Sequence, residues 1–166
     1  MAFSDVVGQD HLVGPEGVIR VFVERRELPS MIFWGPPGTG KTTVPRVLAG
    51  QSGYDFQTLS AVLAGVKDIR AAVEHARQVR AQSGKGTVLF IDEVHRVPPT
   101  VEEYLYSAME DFSVELTLDQ GPNARVLPLK LQRFVLVGAT TREGLLSAPF
   151  RGRFGLLERL AARGVR

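Results

Sequence analysis

The chain has 166 residues, of which 44% are hydrophobic and 23% charged, with a formal net charge of +2 and a pI near 9.2. This length and composition predict one globular domain, 1–166, with a sizeable core. The lack of cysteine excludes disulfides and thiolate metal sites, and no apolar run approaches the ~20 residues of a membrane-spanning helix. We therefore expect a cytoplasmic protein whose mild positive charge permits contact with nucleic acid without requiring it.

The first fifty residues predict a strand and a helix on either side of a glycine-rich loop. An apolar, helix-like stretch ends before Pro29, and the buried strand Met31-Ile32-Phe33-Trp34 follows. The loop, Gly35-Pro36-Pro37-Gly38-Thr39-Gly40-Lys41-Thr42, has the spacing of a phosphate-binding loop (P-loop). Behind it, Val44, Val47 and Leu48 recur at helical spacing. Strand, loop and helix in this order favour the P-loop over a glycine-rich turn that matches by chance.

A P-loop binds a polyphosphate because its glycines let successive backbone N–H groups point inward. The helix that follows adds unpaired N–H groups and the positive end of its dipole. Lys41 would reach the β and γ phosphates, and the Thr42 hydroxyl would hold Mg²⁺. The predicted nucleotide-binding residues of the loop are Pro36, Pro37, Gly38, Thr39, Gly40, Lys41, Thr42 and Thr43.

The remaining pattern alternates strands and helices. After a strand near 54–59, an amphipathic helix runs from Val66 to about Ser83, and Thr87–Ile91 is a continuous apolar strand. A helix over Thr100–Met109 and a buried strand over Phe134–Gly138 follow. Strands separated by long helices predict an α/β fold with a central parallel sheet. The last segment, 143–163, is helical in pattern but interrupted by proline and glycine.

One segment, 112–131, departs from this rhythm. Val114, Leu116 and Leu118 alternate with polar residues, and leucines alternate again from Leu127. This predicts a β-hairpin whose turn is longer than two residues, with Pro128 on an edge strand.

An acidic pair follows the apolar strand Thr87–Ile91. In a P-loop nucleotidase a carboxylate at this place holds Mg²⁺ and the next one activates the attacking water. Asp92 is therefore the candidate metal ligand and Glu93 the candidate general base. Taken alone, such a pair can equally be a strand-end cap.

Other candidate residues follow the next strand. A hydroxyl of the pair Thr140-Thr141 could position the attacking water, or a threonine there could cap a helix that begins near Glu143. Arg151 and Arg153 could donate charge to the nucleotide of a neighbouring subunit. They belong to a group of six arginines after position 141 that forms either a phosphate-facing surface or a solvated end. His11, His75 and His95 lack metal-ligand spacing and are interpreted as structural, with a role near Glu93 as the alternative for His95.

These motifs resemble the AAA+ ATPases. Residues 3–95 resemble the RarA (MgsA) group of replication-recombination ATPases, through Val7–Pro15, Ile32–Gly35 and Leu59–Arg70. Residues 91–160 resemble RuvB, the Holliday-junction branch-migration motor family, through Glu102–Phe112, Gly138–Arg142 and Arg153–Gly155. The stretch Ile91–Arg96 is shared by both.

The resemblance implies a three-layer αβα domain that binds ATP or ADP with Mg²⁺. Val7 and Gly8 would lie near the adenine, Thr141 takes the sensor 1 position, and Arg153 is the arginine finger, with Arg151 as its fallback. The hairpin 112–131 resembles the RuvB element that docks onto RuvA. The family also implies a homo-oligomer, a hexamer, acting on branched or junction DNA. No membrane partner is expected, because no apolar run is long enough to span a bilayer.

Three departures accompany the resemblance. The sequence ends soon after the finger, so the helical lid and the winged-helix DNA module are expected to be absent. Pro45 is expected to disturb the P-loop helix by removing a backbone hydrogen bond. The join of two family patterns indicates a recombined or designed core. We therefore predict a DNA-recombination ATPase core with weak hydrolysis; the alternatives are a nucleotide-binding scaffold with little or no turnover and a clamp-loader-like subunit.

Overall fold

The computed structural model describes residues 9, 12, 14, 15, 17–111, 113–118, 121–130 and 134–160. For 18, 106–111, 113–118, 126–130 and 143 it describes the backbone alone. Within these residues the helices are α1 (Val18–Arg25), α2 (Thr43–Ser52), α3 (Val66–Ser83), α4 (Pro99–Asp111) and α5 (Ala148–Arg151). The strands are β1 (Met31–Trp34), β2 (Asp55–Ser60), β3 (Thr87–Asp92), β4 (Ser113–Leu118), β5 (Arg125–Lys130), β6 (Phe134–Thr140) and β7 (Leu156–Arg159).

Five of the strands form one parallel sheet in the order β2-β3-β6-β1-β7. Because all five run the same way, the carboxyl ends of β1, β3 and β6 lie at one edge of the sheet. Trp34 of β1 pairs with Thr140 of β6, and Ile91 of β3 pairs with Gly138. In sheets of this kind ligands bind outside the carboxyl ends of the strands. The predicted α/β fold with a central parallel sheet is confirmed.

Helices cover both faces of the sheet, which explains the continuous apolar runs of its central strands. Ile32, Leu89 and Leu136 pack on one face in a cluster that includes residues of α3 and α4. Their neighbours Phe33 and Phe90 point to the opposite face, where residues of α1 and α2 pack. Each fully buried side chain of this size contributes roughly 1.5–3 kcal/mol. The site at the strand ends therefore rests on a rigid support.

The predicted hairpin is present as a separate two-stranded sheet of β4 and β5. Ser113 pairs with Lys130 and Leu118 with Arg125, so the turn is longer than two residues as expected. Pro128 stands opposite Glu115. Since a two-stranded sheet has only edge strands, the missing N–H of proline is tolerated there.

The prediction of helical structure through 143–163 is wrong in part. α5 is four residues long: the Ser147 hydroxyl caps its start by accepting from the Phe150 N–H, and Gly152 is the C-cap residue after its last residue. The chain then forms β7, which adds to the open edge of β1 and continues the pairing through the Leu160 N–H to the Trp34 carbonyl, 2.8 Å. Leucines in a short segment do not distinguish strand from helix, and an unpaired strand edge decides the outcome.

The expected disturbance by Pro45 is also not observed. α2 begins at Thr43, so Pro45 lies in its first turn, where a backbone N–H has no partner within the helix. The hydrogen bonds on either side of it, Val44 N–H to Gly40 and Arg46 N–H to Thr42, are 2.9 Å and 3.3 Å long. Pro45 is buried and breaks neither.

Among the described residues, no helix is both long and apolar enough to span a membrane.

Candidate nucleotide site

The P-loop connects the end of β1 to the start of α2. Its backbone passes close to the end of β7, because a Cβ on Gly35 would lie 2.6 Å from the Leu160 carbonyl oxygen. The Thr39 hydroxyl donates to the Pro36 carbonyl at 2.9 Å and closes the loop on itself. Thr42 occupies the N-cap position of α2 but makes no side-chain capping hydrogen bond, and the Val44 N–H donates to the Gly40 carbonyl at 2.9 Å.

The side chain of Lys41 folds back over the loop. Its Nζ donates to the carbonyls of Gly35, at 3.0 Å, and Pro36, at 2.7 Å. Burial desolvates the ammonium group and holds the pKa of Lys41 below its usual value, while Asp92 and Glu93 act in the opposite direction. Lys41 is therefore a nearly buried cation whose ammonium group rests on two backbone carbonyls of the loop.

The acidic pair lies beside this lysine, at the end of β3. Asp92 is exposed, and its Oδ1 accepts the Glu93 N–H at 3.0 Å. Glu93 has φ 53° and ψ 45°, a left-handed conformation that non-glycine residues rarely adopt. Strain of this kind costs of order 1–3 kcal/mol and clusters at functional sites. It turns the chain sharply so that two consecutive carboxylates stand at the edge of the sheet.

A cavity of about 420 Å³ brings the two motifs together. This volume lies within the range of small-molecule sites, ~300–1,000 Å³. The residues lining it are Pro37, Gly38, Gly40, Lys41, Thr42, Thr43, Asp92, Glu93 and Thr141. The P-loop, the acidic pair and Thr141, which were predicted separately at three different strand ends, therefore face one space.

Comparison with known proteins gives the family. The family model for the "Holliday junction DNA helicase RuvB P-loop domain" matches residues 1–160. The chain belongs to the RuvB P-loop domain family. One model spans both stretches that resembled two families, so the comparisons give no support to a RarA-derived half or to a recombined chain.

Individual RuvB proteins agree with this assignment. The branch migration complex subunit RuvB of Pelodictyon phaeoclathratiforme is 46% identical over 146 residues, 85% of this chain and 41% of that protein. The RuvB of Methanoregula boonei is 49% identical over 130 residues, 78% of this chain and 37% of that protein. A solved variant of Thermotoga maritima RuvB superposes with a TM-score of 0.77 at 35% identity, covering 96% of this chain and 48% of that one. The chain thus spans less than half the length of the RuvB relatives it matches.

Two contacts beside the cavity were missed, or given little weight, in the sequence. The buried Gln9 donates from its Nε2 to the Thr39 carbonyl at 3.1 Å and ties the N-terminal segment to the P-loop. His95, interpreted mainly as structural, contacts both Glu93 and Thr140. The sequence signal for each was its position near a residue already singled out: Gln9 follows Gly8, and His95 lies two residues after Glu93. Val7 and Gly8, expected near the adenine, lie outside the described residues.

The arginine candidates are not brought to the cavity by this chain. Arg151 ends α5, and Arg153 follows it with its Nη1 donating to the Pro149 carbonyl at 2.9 Å. Neither is among the described residues that line the cavity. A role for either at the nucleotide of the same chain has no support in this geometry, whereas a role at a neighbour's nucleotide remains a prediction.

Proposed function

We propose that this chain is the AAA+ nucleotide-binding domain, 1–166, of a RuvB-type motor that hydrolyses ATP to drive branch migration of junction DNA. The observation that carries the proposal is the cavity in which the P-loop, Asp92, Glu93 and Thr141 meet. Membership of the RuvB family supports the class of motor, and the relatives matched are described as subunits of Holliday-junction branch-migration complexes.

The residues present fit a magnesium nucleotide. The Thr42 hydroxyl and the Asp92 carboxylate line the same cavity, and both are oxygen ligands of the kind Mg²⁺ takes. Among the described residues, no three His, Cys, Asp or Glu side chains cluster as a metal site. That agrees with a metal held by one or two protein oxygens, water and phosphates. When bound, Mg²⁺ would neutralise charge on the polyphosphate.

The residues of the chain divide the remaining work. The P-loop N–H groups and Lys41 bind the phosphates, with Lys41 exchanging its two carbonyl partners for phosphate oxygens. Glu93 accepts a proton from the water that attacks the γ phosphate, and Thr141 orients that water. Arg153 of a neighbouring subunit, or Arg151 in its place, stabilises the negative charge that develops.

We also propose the partners that this function requires. A homo-oligomer brings the finger to the site, and the hairpin β4–β5 is the surface for a RuvA-like protein. This assembly, rather than a single chain, contacts branched DNA, and it does so in the cytoplasm. Titration of the chain with a RuvA-type protein tests the hairpin: the wild-type chain should bind, and a chain in which 119–124 is replaced by a two-residue Asn-Gly turn should not. No binding by the wild type would remove the partner proposal.

A second function, nucleotide binding with little or no turnover, is favoured by one observation. Both arginine candidates stand away from the cavity of their own chain. An isolated copy would then bind ATP without the group that speeds its hydrolysis.

One experiment separates the two functions. Mg²⁺-ATP affinity and steady-state hydrolysis are measured across protein concentration for the wild type, Lys41→Ala and Glu93→Gln. The motor predicts turnover per chain that rises with concentration, is lost in Glu93→Gln without loss of binding, and falls with binding in Lys41→Ala. Binding with negligible turnover at every concentration supports the scaffold. Absence of binding contradicts both.

A further inference from the structure

Behind the candidate base, His95 connects the ends of two strands. It lies in a short 3₁₀ turn, Val94–Arg96, which Glu93 separates from the end of β3. Its Nδ1 is 2.6 Å from the Thr140 hydroxyl at the end of β6, and its Nε2 is 3.4 Å from Glu93 Oε2. The His95 side chain is only 6% exposed and Thr140 is fully buried. The imidazole ring is therefore fixed by its surroundings.

The hydrogen bonds of Thr140 determine which ring nitrogen of His95 carries the proton. The Arg142 N–H donates to the Thr140 hydroxyl oxygen at 3.0 Å. The hydroxyl proton remains free to be donated to the His95 Nδ1. In the neutral ring one nitrogen accepts and the other carries the proton. An accepting Nδ1 places the proton on Nε2, which faces the Glu93 carboxylate.

The Glu93 carboxylate needs a contact that fixes its orientation. Its side chain is one-third exposed, and its backbone is in the left-handed region. It lines the nucleotide cavity and also a second cavity of about 700 Å³, which His95, Arg142 and Leu145 line as well. A carboxylate that lines two cavities has several rotamers available, and a general base must lie within hydrogen-bond reach of its water.

We infer that His95 is a positioning residue that holds the Glu93 carboxylate through its Nε2–H, with the buried Thr140 hydroxyl as its anchor. The inference rests on the proposed role of Glu93 as base. Because Thr140 precedes Thr141 and its hydroxyl accepts from the Arg142 N–H, the same contacts join the base to the strand end that faces the γ phosphate. The 3.4 Å contact is long, as catalytic contacts often are before the substrate binds.

The simpler interpretation is that His95 is a buried histidine satisfied by Thr140 alone. The two differ in which nitrogen matters. An Asn side chain can reach the position of Nδ1 but not that of Nε2, and a Gln side chain can reach that of Nε2. His95→Asn therefore keeps the anchor and loses the contact with Glu93, whereas His95→Gln keeps a donor for Glu93.

The first test is single-turnover hydrolysis at a protein concentration at which the wild type is active, with ADP affinity measured beside it. His95→Asn should lower the rate about 10–100-fold, the scale of an angstrom-sized misplacement, with ADP affinity kept within about twofold. His95→Gln should recover part of that loss. The matched control is His75→Asn, because His75 also contacts a carboxylate, Asp55 at 3.5 Å, on the exposed side of α3, and its loss should change nothing.

A double variant makes the test specific to Glu93. In a Glu93→Gln background, His95→Asn should cause no further loss, since residues that act as a unit are not additive. Equal loss in His95→Asn and His95→Gln, or an undiminished second loss in the double variant, contradicts the inference. Wild-type turnover in Glu93→Gln alone contradicts the proposed base, and hence the proposed function, and is recognised separately.

A spectroscopic measurement tests the inference even if the chain does not turn over. Nitrogen NMR of the imidazole rings should show the His95 proton on Nε2. Thr140→Val should move the Nδ1 signal of His95 and leave that of His75 unchanged, and Thr140→Ser, which keeps the hydroxyl, should restore it. An Nε2 without a proton, or an Nδ1 signal indifferent to Thr140→Val, shows that His95 does not hold Glu93 in this way.

Discussion

The two sides of the proposed ATPase site differ in how the chain supports them. On the binding side, the P-loop, Asp92 and Thr141 follow three adjacent strands at the centre of the sheet. On the opposite side, Arg151 and Arg153 lie on and after a four-residue helix, and Arg153 contacts the backbone of that same helix. Under the proposed function, one copy of the chain would form the binding surface and a second copy would supply the arginine that stabilises charge.

The largest effect should come from the side that the chain does not complete. Arg153→Ala should lower ATP hydrolysis about 10³–10⁵-fold in the assembled protein and leave nucleotide affinity nearly unchanged, because the finger acts on charge formed during reaction. Arg151→Ala is the matched variant, and it should cost less. A greater loss in Arg151→Ala would transfer the role to Arg151, and full activity in both would remove the finger from this segment.

The next largest effect on hydrolysis concerns Glu93, on the binding side of the site. Glu93→Gln should lower hydrolysis about 10²–10⁴-fold, the usual contribution of a general base, while Mg²⁺-ATP still binds. Glu74→Gln serves as the control, because Glu74 is an exposed residue of α3 paired with Arg77 at 3.8 Å. Titration calorimetry and a phosphate-release assay measure the two quantities. A joint loss of affinity and rate would mean that Glu93 supports binding rather than reaction.

A smaller effect tests how tightly β7 supports the P-loop. Gly35→Ala should lower the free energy of unfolding by roughly 1–3 kcal/mol, because its Cβ would meet the Leu160 carbonyl at 2.6 Å. Gly50→Ala, within α2 and facing open space, should raise it by about 0.5–1 kcal/mol. Urea denaturation followed by circular dichroism compares them. An unchanged Gly35→Ala protein would show that the contact with β7 is loose.

The smallest effect concerns the desolvated lysine. The pKa of Lys41 in the folded chain is lower than in the unfolded chain, so between that lowered value and about 10.5 the unfolded chain binds more protons. The contribution of Lys41 to stability therefore rises with pH across this interval, and it is a cost below it. Lys41→Met should remove that rise. Unfolding free energies of both proteins at pH 7 and pH 10 measure the difference, and parallel changes would contradict it.

Much of this arrangement could be predicted because it depends on local pattern. The apolar runs of β3 and β6 and the P-loop spacing each carry their own signal, and parallel strands bring their ends together. The effect of Pro45 on α2 could not be predicted, because it depends on which residue begins the helix. A proline in the first turn costs no hydrogen bond within the helix. β7 could not be predicted because its formation depends on the open edge of β1. The contact of His95 with Thr140 joins residues 45 apart in sequence, which no local pattern records.

The most direct test of the central claim mixes two inactive variants. Lys41→Ala lacks the binding side but keeps Arg153, and Arg153→Ala keeps the binding side but lacks the finger. In a randomly mixed oligomer about one quarter of the interfaces pair an intact site with an intact finger. If two neighbouring copies complete one site, the equimolar mixture should recover up to about a quarter of wild-type ATP hydrolysis. A mixture no more active than its components would contradict a site completed by the neighbouring copy.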